Sequence, residues 1–217
     1  MATLLEVCNE VLVNIGENPV NYESHPVARK VFAAYKSALR HVSALYRWPH
    51  LLQERAVTVI TGGLVNLTPP VQQVLGVAWV EDSNQYLVQP AERVSTWSAA
   101  KVLEPLIPSG AARPCYWSPY GASQVRLYPQ FDSALIDNLR IFVLSYPVLP
   151  TVLLNATQVA LPDDFLQAVM YYTEYLMHLR HTSDGASANQ TLSTFEQYVH
   201  MLRSRKSELL VSDIWSN

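Results

Sequence analysis

Between Thr3 and Leu52 the apolar residues recur at three- and four-residue steps, and one glycine with one proline cuts that run into two helices. Leu4, Cys8, Val11, Leu12 and Ile15 make the first stripe. Gly16 ends it, because glycine takes the left-handed conformation a helix end often needs, and Pro19 forbids resumption. A second helix starts near Ser24, with Pro26 at an early position where its missing N–H does no harm. Val27, Val31, Ala34, Ala38, Val42 and Leu45 make its stripe, and Trp48-Pro49 ends it. The chain thus opens with a short helix, a proline-stiffened turn and a helix of roughly twenty residues.

After Leu52 the pattern turns strand-like. Ala56 to Thr61 is rich in β-branched residues, and Gly62-Gly63 offers a two-residue turn into Leu64 to Leu67. Val74 to Val80 and Tyr86 to Val88 predict a second hairpin, and Ala91 to Ala100 a short helix containing Trp97. Residues 105–121 carry four prolines and read as an exposed loop. Gln124 to Tyr128 and Leu139 to Tyr146 then read as a closing pair of strands.

Helix returns at Leu161-Pro162-Asp163-Asp164-Phe165, where either aspartate can cap the first turn. Leu166, Val169, Met170, Tyr172, Leu176 and Leu179 give its buried face. A polar stretch, Thr182 to Ser187 with Gly185, breaks it, and a last helix runs from about Ala188 through Leu192, Phe195, Val199, Leu202 and Leu209. The expected fold is α+β, a bundle of long N- and C-terminal helices with an inserted small antiparallel β subdomain. Residues 1–52 and 151–217 would form one helical domain around the insert at 53–150.

At 217 residues and 49% hydrophobic, the chain can bury a proper core. Only 15% is charged, well under the usual quarter, which fits a large core or a surface covered by copies and partners. The net charge of −3 gives no footprint for tight nucleic-acid binding. No segment reaches the ~18 apolar residues of a membrane span, and Cys8 and Cys115 suggest no oxidising compartment. The chain reads as a soluble protein made in the cytosol.

Catalysis has no foothold in the sequence, so no enzyme, cofactor or metal is expected. His178 and His181 lack a convincing acidic or cysteine ligand beside them. No nucleophile elbow or phosphate-binding glycine loop occurs. Asp163 and Asp164 are adjacent, so they cannot straddle a bond as acid and base. Arg203, Arg205 and Lys206 form the one basic cluster, either a solvated face near a helix end or a lining for a DNA conduit or interface. Trp117 reads as core or loop packing, or as an interface anchor.

The opening stretch resembles that of phage head-to-tail adaptors, the tail tubular protein A type of short-tailed phages. Asn9, Leu12, Ile15, Gly16, Glu17, Pro19, Val20, Ala28, Tyr35, Leu39 and Trp48 stand in the places that carry the likeness. Pro49-His50 departs from it, since an aromatic residue is usual after the tryptophan. The strand ending at Tyr146-Pro147, followed by Leu161 to Phe165 opening a helix, resembles the second half of that family. The resemblance implies a structural virion protein, assembled in the host cytoplasm, that joins the portal to the tail. It further implies a ring of twelve-fold symmetry, a tail nozzle or tail tube partner, and DNA passing through non-specifically during ejection. It also assigns portal binding to the C-terminal region, here the unusually apolar Leu209, Leu210, Val211, Ile214 and Trp215. Packing of that segment on the chain's own helices is the alternative. Two other readings remain: a head-completion or tail-terminator ring of a long-tailed phage, and a helical ligand-binding regulatory module with Tyr171, Tyr172 and Tyr175 around a pocket.

Overall fold

A computed structural model of the chain describes residues 2–57, 60–61, 64–81, 84–90, 113–121, 123–128, 137–151, 153 and 158–206. Two compact units emerge, one from residues 1–48 with 147–217 and one from residues 49–146.

The first unit is helical. Helix α1 (Leu4–Asn14) starts at a reciprocal cap. The Glu6 amide donates to Thr3 Oγ1 at 3.2 Å, and the Thr3 amide donates to Glu6 Oε2 at 2.7 Å. It ends in a paired closure: the Glu17 amide donates to the Leu12 carbonyl at 2.9 Å and the Gly16 amide to the Val13 carbonyl at 3.0 Å. Gly16 has φ +81°, a conformation that would strain a residue bearing a Cβ. The turn is then folded back by Asn9. Its Nδ2 donates to the Val20 carbonyl and its Oδ1 accepts from the Val20 amide, both at 2.9 Å.

Helix α2 (Pro26–Leu45) has Pro26 in its first turn and His25 as N-cap. Helix α3 (Asp163–Met177) packs against α1, α2 and the last helix, α4 (Gly185–Lys206). Its buried positions include Phe165, Ala168, Val169, Met170, Leu176 and Met177. The cap is Pro162, so Asp163 and Asp164 lie inside the first turn, against the positive end of the helix dipole. After Met177 the helix widens into a π turn, His178–Thr182. The left-handed residue that closes it is Ser183 (φ 56°), not Gly185. Asp184 then caps α4, accepting from the Ala186 and Ser187 amides at 3.1 Å and from Ser187 Oγ at 2.6 Å. That cap starts α4 earlier than the apolar pattern alone suggested.

The second unit is a curled mixed sheet of eight strands. They are β1 (Leu52–Ala56), β2 (Ile60–Thr61), β3 (Leu64–Asn66), β4 (Val71–Glu81), β5 (Asn84–Pro90), β6 (Tyr116–Pro119), β7 (Gln124–Tyr128) and β8 (Leu139–Ser145). Their order across the sheet is β1-β8-β4-β5-β6-β7-β3-β2. The expected hairpins are present as β2–β3, with Thr61 opposite Leu64, and β4–β5, with Glu81 opposite Asn84. One face carries the core at alternate positions: Val125 and Leu127, Leu139, Ile141 and Val143, Val77 and Trp79.

The structure departs from the expected fold class. The sheet is not a small antiparallel insert in a bundle of long terminal helices. It is a mixed sheet of eight strands with a core of its own. Two sequence features hid this. First, β6 lies inside the proline-rich stretch read as a loop, and it pairs in parallel with β5 at Gln89–Tyr116 and Pro90–Trp117. A parallel pair needs a long crossover, so no local turn signal announces it. Second, β4 is bulged twice against β8, so its inward residues are Val71, Val74, Val77 and Trp79. That spacing is not the strict alternation of a regular strand. The supposed closing pair is also wrong: β7 pairs with β6 and β3, whereas β8 pairs with β1 and β4. The helix expected at 91–100 lies outside the described residues.

Candidate functional site

The C-terminal end of α2 is where several sequence-marked residues converge. The last four carbonyls of any helix lack an intrahelical donor. Here Trp48 Nε1 donates to the Val42 carbonyl at 2.8 Å, and the Arg203 guanidinium donates to the Leu45 carbonyl. Trp48 is fully buried, with its ring edge-on to Phe165 at 4.7 Å. Arg203 therefore completes the end of a neighbouring helix. The backbone of Arg205 and Lys206 continues α4. Leu209, Leu210, Val211, Ile214 and Trp215 lie outside the described residues. Trp117 is on β6, 6% exposed in the core of the sheet.

The three tyrosines of the ligand-pocket alternative are engaged with neighbouring rings. Tyr172 stacks on His41 at 4.2 Å and lies 5.0 Å from Phe195 and 5.3 Å from Tyr175, while Tyr171 meets Tyr198 at 5.5 Å. Loss of solvent holds the His41 imidazole below its ordinary pKa and the Tyr172 phenol above its own.

Polar contacts also tie the helices together. Asn14 Nδ2 donates to Glu174 Oε1 at 2.6 Å, joining α1 to α3. Burial raises the Glu174 carboxyl above its ordinary pKa, the Asn14 bond opposes that, and the nearby Glu10 charge adds to it. His181 contacts Glu17 at 3.5 Å through Nε2 and the Lys30 ammonium at 3.4 Å through Nδ1. An ammonium can only donate, so Nδ1 accepts and Nε2 carries the proton toward Glu17. Burial pushes the Cys8 thiol up to about 12, which leaves it an inert core residue. Among the described residues no group of three or more metal-ligating side chains assembles, and no helix is long and apolar enough to cross a membrane.

A family model described as SU10 adaptor protein matches residues 2–212, and so spans both units. The chain belongs to the SU10 adaptor protein family. No curated protein matches it. Membership makes the chain a structural phage adaptor and a virion component, in line with the resemblance carried by Asn9, Gly16 and Trp48. In this SU10 adaptor those three residues have structural duties: Asn9 clamps the turn, Gly16 closes α1 and Trp48 closes α2. The regulatory-module reading is set aside. The Thr3–Glu6 cap went unread in the sequence although its T-x-x-E spacing was there to find, as was the Asp184 cap before Ser187.

Proposed function

We propose that this chain forms the adaptor ring between the portal of the phage head and the tail, and lines part of the conduit through which DNA leaves. The observation that carries the reading is the family match over residues 2–212. Twelve copies would sit on the portal, with a tail nozzle or tail tube protein on the other side. The DNA would pass without sequence recognition, in keeping with a net charge of −3.

Portal attachment is assigned to Leu209, Leu210, Val211, Ile214 and Trp215. Ordering any segment costs roughly 1–2 kcal/mol of backbone entropy per residue. A segment this apolar recovers that cost where it is covered, and Trp215 is the natural anchor for a crevice between portal subunits. Repetition around a ring multiplies a modest single contact. Deleting Ile214 to Asn217 should leave the melting temperature nearly unchanged and abolish co-sedimentation with portal. Normal attachment of the truncated chain, or its unfolding, would remove the segment from this role.

A further inference from the structure

The first two helices divide the charge between them. α1 carries Glu6 and Glu10 and no cation, while α2 carries Arg29, Lys30, Lys36 and Arg40 and no carboxylate. Glu6, Glu10 and Val13 follow one another at four and three residues, so they share one face of α1. All three are exposed, Val13 at 57% although it is apolar. Ala33, Lys36 and Arg40 follow at three and four residues on one face of α2. Ala33 and Arg40 are exposed, and Lys36 is half-buried with its ammonium 4.5 Å from the Phe32 ring centre. No ion pair among the described residues uses Glu10, Lys36 or Arg40. The Glu6 carboxylate takes part in the α1 cap.

The two spacings are mirror images. Laid antiparallel, α1 of one copy and α2 of another bring Glu6 opposite Arg40, Glu10 opposite Lys36, and the exposed Val13 opposite the small Ala33. We infer that the Glu6–Glu10–Val13 face of α1 docks on the Ala33–Lys36–Arg40 face of α2 in a second copy of this chain. A second copy explains both faces at once, the matched spacing, and the exposed valine at the seam. A nucleic acid would engage the cations only and leave the acidic face and Val13 without a role. Used head to tail, the contact leaves one free face of each kind on the outer copies and so continues from copy to copy. The closure of that series into a ring rests on the function proposed above; the pairing itself does not. Exposed ion pairs are weak and screened by salt, so the contact forms readily only at high local concentration or low ionic strength.

The experiment uses the full chain with Cys115→Ser, since Cys115 is exposed and Cys8 is buried. Copies carrying Glu10→Cys are mixed with copies carrying Lys36→Cys and treated with a short bis-maleimide. The mixture should give a covalent heterodimer whose yield falls at least fivefold in half-molar salt. Gln85→Cys in place of Lys36→Cys should give only background. In parallel, Lys36→Glu with Arg40→Glu should abolish low-salt self-association in sedimentation. Mixing that variant with Glu10→Lys should restore it. Absence of a salt-sensitive cross-link, or failure of the mixed variants to associate, overturns the pairing. So does a Lys36→Glu/Arg40→Glu chain that loses duplex DNA binding while self-associating normally. Pairing that stops at dimers even with portal present would instead contradict the ring and leave the pairing standing.

Discussion

Replacing Trp48 tests whether the end of α2 is held by side chains reaching back to it. The indole is 1% exposed, with Phe165 at 4.7 Å and Tyr46 at 5.3 Å, and its N–H satisfies the Val42 carbonyl at 2.8 Å. Trp48→Phe keeps most of the apolar contact and removes the donor. An unsatisfied buried carbonyl costs about 1–3 kcal/mol, so that is the loss expected. Trp48→Ala also empties the space between α2 and α3, and such an aromatic truncation costs about 3–5 kcal/mol in all. A domain is typically stable by only about 5–15 kcal/mol, so the alanine variant should be close to unfolded in its helical unit. Urea titration followed by far-ultraviolet circular dichroism reads the helices directly. Equal losses for the two variants, or losses below about 0.5 kcal/mol for both, would refute the reasoning.

Glu174 gives a pH dependence of known sign. Burial holds its folded pKa above the ordinary 4.5, so its contribution is full below that unfolded value and is lost as pH rises through the raised folded one. Glu174→Gln, which keeps an oxygen acceptor for Asn14, should therefore be more stable than the parent at neutral pH, with the difference vanishing in acid; denaturant midpoints across pH measure it. Asp184→Ala should lower the melting temperature and Asp184→Asn much less, since only the former leaves Ala186 and Ser187 without a cap acceptor. The isolated chain should be a monomer or small oligomer by light scattering, because exposed ion pairs alone do not close a ring. Binding to free duplex DNA should be weak and steeply salt-sensitive, and nanomolar, sequence-selective binding at physiological salt would contradict the conduit.

The helices were legible because their signals are local. Leu4 to Leu12, Gly16, Pro26 and the stripe from Val31 to Val42 each act within a few residues of one another, and the helices formed there. The hairpins β2–β3 and β4–β5 were legible for the same reason. The sheet as a whole was not. Its order depends on pairings such as β1 with β8 and β3 with β7, which join strands far apart in the chain. The bulges of β4 erase the alternation that would have marked its inward face, and β6 joins β5 by a parallel pairing that no turn residue predicts. The interaction surfaces divide in the same way. Arg203 looked like part of a basic patch, yet its partner is a helix carbonyl at Leu45, 158 residues away. The complementary faces of α1 and α2 were present in the spacing of Glu6, Glu10, Lys36 and Arg40, but it is the exposure of Glu6, Glu10 and Arg40, and the absence of ion pairs to Glu10, Lys36 and Arg40 among the described residues, that make them candidates for a partner.

We propose that this chain bridges a portal and a tail as a ring. Electron microscopy of the purified chain mixed with its portal tests it most directly. A coaxial ring of copies on the portal is expected, with continuous density from the end of α4 into the portal wall. Bare portals beside free chains, at concentrations well above micromolar, would contradict it.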